Sequence, residues 1–225
     1  MSKLQLLIDE QVGNIYLDHD QTSFITLHRL PQTLVQYGMD HFEELYQLHP
    51  QKRHRVVTWE KELEVKRWQQ SYMHTPEIDT SRIKQHSYMY SGFDTAKNKK
   101  ELDPLFVPFY QYMYEMNPNY NQVTVNWYEK YDYIAMHKDC DYNMIDNYKI
   151  AIMSIYDNPK NVRILRLKAR NKNCRLIYDD IRIVMRPDLV VVFGGDIQKH
   201  YIHGVPNNQQ TQGPRISISL RQMKV

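Results

Sequence analysis

The part of the chain that follows Pro118 is a succession of short β-rich segments separated by turn-forming residues. Asn158-Pro159, Pro187-Asp188 and Gly194-Gly195 are three of these turn signals. Segments of about five to seven residues rich in Val, Ile and Tyr predict β-strands when such turns lie between them. Many short strands at regular spacing favour a β-sandwich or barrel. The predicted strands comprise residues 123–128, 149–155, 162–168, 175–178, 181–185, 189–193, 201–205 and 215–221.

The part of the chain before Pro118 predicts two helices that would lie outside this β core. Two stretches place their apolar residues on one helical stripe. The second stretch is closely followed by Pro118, which ends a helix. The predicted helices comprise residues 39–49 and 104–116, and the predicted strands residues 55–59 and 65–72, whereas residues 1–36 show no clear period.

The length and composition predict one globular domain. The 225 residues are 42% hydrophobic and 24% charged, which suits a chain that buries a sizeable core. No apolar run approaches the roughly 20 residues that a membrane span needs, and the N-terminus lacks a secretory signal pattern. The two cysteines are too few for a disulfide framework. We therefore expect a monomeric intracellular protein, cytoplasmic or nuclear, without membrane association.

Positive charge is concentrated in one segment, residues 160–186. The whole chain carries a net charge of +3, yet this segment contains nine Lys and Arg residues and only two aspartates. A basic segment on a nearly neutral body indicates a contact with a polyanion such as nucleic acid. The alternative is a solvated hairpin with alternating charges.

The segment that follows the predicted strand at residues 123–128 contains a histidine and an aspartate two positions apart, His137 and Asp139. Alternate side chains of an extended backbone share one face, so both residues could bind the same metal ion. His203, in a later predicted strand, is the best candidate for a third ligand. Two histidines and one carboxylate are the ligands of non-haem Fe(II) oxygenases. The alternatives are a solvated loop histidine and His200 as third ligand, although His200 would face away from His203 in a strand.

The last predicted strand carries two arginines, Arg215 and Arg221, six positions apart. The period of a strand places both on one face, together with Ser217 and Ser219. Buried arginines are costly unless an anion pairs with them. A dicarboxylate would fit, because a guanidinium binds a carboxylate through two parallel hydrogen bonds. The alternative is an exposed edge strand that buries only its apolar face.

Taken in order along the chain, these motifs resemble the AlkB family of iron- and 2-oxoglutarate-dependent dioxygenases. The pattern starts with N-x-Y (Asn126 and Tyr128), continues with H-x-D and ends with R-x-S-x-S-x-R. The distal histidine lies in Q-x-x-x-x-H-G-V-P. Upstream, HSYMYSG resembles the Y-x-Y-S motif of that family's nucleotide-recognition lid. The resemblance covers residues 60–222.

The resemblance implies a mainly β, α+β fold: a double-stranded β-helix (jelly-roll) core with flanking helices and an N-terminal nucleotide-recognition lid. Residues 1–59 would form an extension packed on the core, and residues 60–225 the dioxygenase domain, with the lid at residues 60–100. Fe(II), 2-oxoglutarate and O2 are the implied cofactor and cosubstrates. The implied catalytic iron ligands are His137, Asp139 and His203, and the implied cosubstrate contacts are Asn126, Tyr128, Arg215, Ser217 and Arg221.

The resemblance also implies substrate contacts. Family members that act on alkylated bases carry an acidic residue four positions beyond the first iron ligand, where this chain has Asp141. Tyr88 and Tyr90 correspond to the lid motif, and Trp68 would line the pocket. The alternatives are a turn residue at Asp141 and packing roles for Tyr90 and Trp68.

The implied activity is the oxidative demethylation of alkylated bases in DNA or RNA, with release of formaldehyde, succinate and CO2. The main alternative is the same chemistry on a protein side chain. A binding module without catalysis is disfavoured, because it would not need the five matched positions of the His-Asp-His and Arg-Arg set.

Overall fold

The computed structural model describes residues 3–6, 13–58, 60–73, 89–90, 93–94, 100–170, 175–207 and 213–224. The helices are α1 (Gln32–Asp40), α2 (Phe42–Gln47), α3 (Val107–Met116) and α4 (Ile197–His200). The strands are β1 (Lys3–Leu6), β2 (Gly13–Tyr16), β3 (Ser23–Arg29), β4 (Arg55–Thr58), β5 (Lys61–Glu64), β6 (Trp68–Met73), β7 (Met89–Tyr90), β8 (Phe93–Asp94), β9 (Lys100–Glu101), β10 (Gln122–Tyr128), β11 (Ile134–His137), β12 (Ile150–Tyr156), β13 (Arg163–Ala169), β14 (Asp180–Met185), β15 (Leu189–Gly195), β16 (Tyr201–Val205) and β17 (Arg215–Arg221).

Two sheets form the core, and the chain passes back and forth between them. The larger sheet has the order β2-β3-β15-β12-β17-β10-β6-β9, and the smaller sheet has the order β1-β14-β13-β16-β11. From β10 to β17 consecutive strands alternate between the sheets, except that β13 and β14 are neighbours in the smaller one. Eight strands wound in this order form a double-stranded β-helix, so the predicted jelly-roll fold is confirmed.

The two faces of the larger sheet have different partners, as the alternation of strand side chains requires. Ile216 and Ile218 of β17 point to the face that α1, α2 and α3 cover. Ile150 of β12 and Phe193 of β15 point to the space between the sheets, where they pack against residues of β13 and β14. Towards β17 and β10 this inner space is lined by polar side chains instead, and the site lies there.

The predicted β-strands from residue 123 onward agree with the structure at seven of eight positions. The strand predicted at residues 175–178 is wrong, because this segment forms only an isolated bridge between Leu176 and Asp18. β17 is not an exposed edge strand: all seven of its residues are buried, and it pairs with β10 on one side and β12 on the other. The alternative of an exposed arginine-bearing edge is therefore excluded.

The predictions for the first half of the chain are less accurate. The helix predicted at residues 39–49 is replaced by α1 and α2, which are separated at His41, where the backbone leaves the helical conformation. The helix predicted at residues 104–116 is confirmed, with a 3-10 turn at Pro104–Phe106 before α3. For residues 1–36 no period was apparent, and the part of this range that the structure describes contains three strands and the start of α1.

The N-terminal region joins the core directly. β3 pairs with β15 along its whole length, from Ser23 opposite Gly195 to Arg29 opposite Leu189. A boundary between an extension and the dioxygenase domain at residue 59 stays a prediction, and most of the predicted lid lies outside the described residues. In the described part of the chain no helix has the length and apolar character to cross a membrane.

Candidate active site

Three side chains that could bind a metal ion meet where β11 and β16 pair. His137, the last residue of β11, lies directly opposite His203 of β16, and the two ring centroids are 4.4 Å apart. Asp139 follows two residues beyond the end of β11, and its Oδ1 is 3.6 Å from His137 Nε2. One ligand atom of each residue lies within 4.8 Å of the others. Two separate strands thus bring together the three residues that the sequence singled out.

Each of the two histidines has a ring nitrogen that could bind a metal ion. His137 Nδ1 is 2.9 Å from the carbonyl oxygen of Ala135, and because a carbonyl only accepts, Nδ1 must carry the proton. Nε2, which faces Asp139, is therefore the nitrogen of His137 that could bind a metal ion. Burial, followed by the nearby His137 ring, lowers the pKa of His203 to about 3. Neutral imidazole nitrogens are the form that binds metal ions.

Asp139 is held as a carboxylate although it is almost completely buried. Burial alone raises the pKa of Asp139, but the charge of the Arg221 guanidinium holds this pKa well below its ordinary value. Arg221 Nη2 lies 3.2 Å from Asp139 Oδ2, and its Nη1 donates to Thr124 Oγ1 at 3.0 Å. The site therefore combines two imidazoles with one ionised carboxylate, which matches the ligand set of a non-haem Fe(II) centre.

A second polar group lies further along the inner face of β17, around Arg215. The guanidinium is buried and donates from Nε to Ser154 Oγ and from Nη2 to Ser217 Oγ, both at 3.0 Å. Nη1 has no hydrogen-bond partner among the residues that the structure describes. A buried guanidinium with an unused donor is what a carboxylate of a bound dicarboxylate requires. The residues present therefore fit 2-oxoglutarate.

The other predicted cosubstrate contacts share this inner face. In the pairing of β10 with β17, Asn126 lies opposite Ser217 and Tyr128 lies opposite Arg215. The Arg215 guanidinium carbon is 5.0 Å from the centroid of the Tyr128 ring. Asn126 Oδ1 accepts a hydrogen bond from the Nε atom of Arg67 at 2.9 Å. Arg67, which directly precedes β6, was not predicted as a site residue.

A second buried arginine, Arg163 of β13, was also missed. Its two Nη atoms donate to the backbone carbonyls of Glu129, Asp132 and Gly213, and its guanidinium carbon is 5.4 Å from the Tyr128 ring. Burial, followed by the charge of Arg215, lowers its pKa to about 10. The signal was present in the sequence, because residue 163 alternates in phase with two leucines, at 165 and 167, that point inward.

The predicted substrate contacts have different outcomes. Asp141 lies near the triad, and the Tyr148 hydroxyl donates to its Oδ2 at 3.2 Å. Burial, followed by the charge of Asp141, raises the pKa of Tyr148, so this hydroxyl stays protonated. Tyr88 and the side chain of Tyr90 lie outside the described residues.

Trp68 does not lie on the face that bears the candidate site. It is opposite Trp127 in the pairing of β6 with β10, on the face covered by helices. Its ring stacks on His49 at 4.2 Å, and the Arg53 guanidinium lies 4.3 Å from its centroid. Asn126 points to the opposite face of the sheet. The contacts of Trp68 therefore support a packing role for this residue and not a position in the substrate pocket.

Four of the nine basic residues at positions 160–186 have carboxylate partners within the protein. Arg166 pairs with Asp180 at 2.7 Å, and Arg163 is the buried residue already described. Three further arginines have carboxylates within 4.0 Å: Arg175 pairs with Asp20, Arg182 with Asp180 and Arg186 with Asp188. Lys160, Lys168 and Arg170 are exposed, and Lys172 lies outside the described residues.

The fold and the site define a class of enzyme, and the sequence of the chain agrees with it. A family model described as the 2OG-Fe(II) oxygenase superfamily matches residues 36–221. The chain belongs to this superfamily. Its members use Fe(II), 2-oxoglutarate and O2, so the predicted cofactor and cosubstrates are confirmed.

A solved structure of an oxidoreductase of the 2OG-Fe(II) oxygenase family from Burkholderia pseudomallei is similar, with a TM-score of 0.49 and 12% sequence identity. The similarity covers 98% of this chain and 95% of that one. No curated protein matches the sequence.

Proposed function

We propose that this dioxygenase demethylates alkylated bases in nucleic acid, as the AlkB family does. In this proposal His137, Asp139 and His203 hold the iron. When bound, iron and 2-oxoglutarate activate dioxygen, and an N-methyl carbon of the substrate is oxidised while 2-oxoglutarate becomes succinate and CO2. The oxidised methyl group then leaves as formaldehyde. The side chains of the protein would orient 2-oxoglutarate and the methylated base for this reaction.

The cosubstrate would be oriented by the two arginines of β17. Arg215, assisted by Ser217, Asn126 and Tyr128, would bind the carboxylate of 2-oxoglutarate that is remote from the metal, because its Nη1 donor is unused. Arg221 lies against Asp139 and would face the carboxylate near the metal. The two charges, six positions apart on one strand face, would fix both ends of a dicarboxylate.

The observation that supports the proposed substrate is the position of Asp141 and its hydrogen bond from Tyr148. Its carboxylate is only half-buried, lies two residues beyond Asp139, and accepts a hydrogen bond from Tyr148. A fixed carboxylate beside the metal can accept a hydrogen bond from an exocyclic amino group and favours the positive charge of a methylated base. The neighbouring Tyr142 is 83% exposed, so an aromatic ring is available next to it for stacking on a base.

The test compares succinate formation on a methylated oligonucleotide with that on a methylated peptide. The proposal expects turnover with the oligonucleotide, and Asp141→Asn should lower this turnover while metal binding remains. Tyr148→Phe, which removes the hydrogen bond and keeps the ring, should lower it less. Turnover with the peptide alone would contradict the proposed substrate.

The second candidate is the same chemistry on a protein side chain. The observation that favours it is that most of the described arginines in the basic segment already have carboxylate or carbonyl partners within the protein. A nucleic acid contact predicts binding that weakens steeply with salt, and Arg170→Glu should then weaken it further. Salt-independent binding and full activity of the Asp141→Asn variant would favour the protein substrate.

A further inference from the structure

Gln198, in the short helix α4, contacts the backbone of a proposed iron ligand. Its side chain is 2% exposed, and its Oε1 accepts a hydrogen bond from the backbone N–H of Asp139 at 3.0 Å. The two residues are 59 positions apart in the chain. Because an N–H can only donate, the orientation of the amide is determined: the oxygen faces Asp139 and the nitrogen faces away.

Asp139 needs such a contact because the sheet no longer holds it. β11 ends at His137, so the backbone at Asp139 lies beyond the last pair of β11 and β16. The residue is 1% exposed, and a buried N–H without a partner costs about 1–3 kcal/mol. Gln198 satisfies this N–H, while Arg221 holds the carboxylate from the other end.

The helix that carries Gln198 is itself fixed at both ends. The backbone N–H of Asp196, just before α4, donates to Thr22 O at 2.8 Å. At the other end, His200 Nδ1 lies 2.8 Å from Ser23 Oγ. The chain then enters β16, which carries His203 three residues later. One amide therefore connects the segment that bears Asp139 to the segment that bears His203.

We propose that Gln198 is a positioning residue of the metal centre, which holds the Asp139 backbone so that its carboxylate meets the two histidines. This inference rests on the assignment of His137, Asp139 and His203 as the iron ligands. Gln198 acts through Asp139, and the expected consequence of losing it is weaker metal binding. Partners that orient a ligand typically contribute about 10–100-fold to metal affinity.

The chain offers a matched control in Gln222. This glutamine is also 2% exposed, and its Oε1 accepts a hydrogen bond from the backbone N–H of Lys149 at 2.8 Å. In both glutamines the Nε2 atom has no hydrogen-bond partner among the described residues. Gln222 does not contact His137, Asp139 or His203 in the described structure. Gln222→Met therefore also removes a buried side-chain acceptor from a backbone N–H, but at a position that does not contact the proposed iron ligands.

The experiment measures Mn(II) dissociation constants by calorimetry on the purified full chain without 2-oxoglutarate. Gln198→Met keeps the length of the side chain but removes the acceptor, and we expect about 10–100-fold weaker Mn(II) binding. Gln198→Asn, which withdraws the acceptor by one methylene, should also weaken binding. Gln198→Glu retains the acceptor oxygen and should bind Mn(II) at least as tightly as the wild type. Gln222→Met should leave the constant unchanged.

Co(II) absorption gives a second readout, because the visible bands of Co(II) report the geometry of its ligands. Altered bands in Gln198→Met, with wild-type bands in Gln198→Glu and Gln222→Met, would support the proposal. Wild-type Mn(II) affinity in both Gln198→Met and Gln198→Asn would overturn it, as would an equal loss in Gln222→Met. If Gln198→Met does not fold, Gln198→Asn decides.

The failure of this inference can be distinguished from the failure of the ligand assignment. Asp139→Ala should abolish Mn(II) binding if the triad is the metal site. Loss in Asp139→Ala together with no change in the Gln198 variants would refute only the positioning role. Unchanged binding in Asp139→Ala would instead refute the metal site, and the inference about Gln198 with it.

Discussion

Arg221 and Asp139 form an ion pair at 3.2 Å, with side chains that are only 7% and 2% exposed. A buried pair of this kind is costly to break, because the remaining charge has neither water nor a counterion. In the protein without metal, Arg221 is therefore the charge that keeps Asp139 ionised. A bound cation would provide a second positive charge for the same carboxylate.

The first prediction concerns this pair. Arg221→Met should lower the free energy of unfolding of the metal-free protein by about 3–5 kcal/mol, because Asp139 loses its guanidinium partner. A divalent metal should then restore part of the loss, so the rise in melting temperature on adding Mn(II) should be larger in the variant than in the wild type. Differential scanning fluorimetry with and without Mn(II) measures both effects.

Arg166→Met is the control for Arg221→Met. Arg166 also pairs with an aspartate, at 2.7 Å, but its side chain is 31% exposed and the pair lies on the outer side of the smaller sheet. Pairs near the surface contribute about 0–1 kcal/mol, so this variant should lose little stability and respond to Mn(II) like the wild type. If the two variants lose equal stability and respond equally to Mn(II), Arg221 does not compensate the buried negative charge of Asp139.

The second prediction separates the residues around the cosubstrate. Arg215→Met should weaken binding of 2-oxoglutarate roughly 10–100-fold, since a bond to a charged group contributes about 1.5–3 kcal/mol. Ser217→Ala removes a neutral contact of about 1 kcal/mol and should weaken it roughly fivefold. Calorimetry in the presence of Mn(II) gives both constants.

A cosubstrate analogue tests whether Arg215 acts on the remote carboxylate. 2-Oxopentanoate has the 2-oxo acid end of 2-oxoglutarate but no second carboxylate. The wild type should bind it weakly, and Arg215→Met should bind it no more weakly than the wild type does. An equal loss for both ligands would mean that Arg215 supports the pocket without contacting that carboxylate.

The third prediction is a pH dependence of stability that arises from His54. Burial, followed by the charge of Arg67, lowers the pKa of this histidine to about 4, against about 6.5 in an unfolded chain. Between these two pKa values His54 is protonated in the unfolded chain but stays neutral in the folded protein. Protonation of His54 in the unfolded chain therefore leaves the free energy of unfolding unchanged above about pH 6.5 and lowers it as the pH falls towards 4.

His54→Gln should flatten this dependence. Urea unfolding of the metal-free protein at pH 7.5 and pH 5.0 measures it, and the variant should lose less stability than the wild type between the two values. Other histidines, His203 among them, contribute equally to both proteins and cancel in the comparison. Parallel losses in wild type and variant would exclude His54 as the source.

The strand pattern of the core was predictable from the sequence because strand alternation is a local property. β17 is the clearest case: its two arginines and two serines alternate with Ile216, Ile218 and Leu220, and the structure buries both faces. The period alone could not decide between a central and an edge strand, since that depends on which strands pair with it. The pairing of β17 between β10 and β12 is a property of the whole fold.

Other features depend on long-range contacts that leave no local signal. Gln198 is the first residue of the Q-x-x-x-x-H-G-V-P motif, but the motif does not reveal its bond to Asp139, which arises only when α4 folds against the end of β11. The break between α1 and α2 lies at His41, a residue that helices tolerate, so periodicity ran across it. His200 was set aside for facing away in a strand, but it lies at the end of α4 and contacts Ser23.

The most direct test of the account is iron binding and succinate formation by Asp139→Ala, with Asp141→Asn as its control two residues away. The wild type should bind a single Fe(II) per chain and convert 2-oxoglutarate to succinate. Asp139→Ala should bind no iron and form no succinate, whereas Asp141→Asn should keep the iron. An Asp139→Ala variant that retains both the iron and the wild-type rate of succinate formation would contradict the assignment of the metal centre.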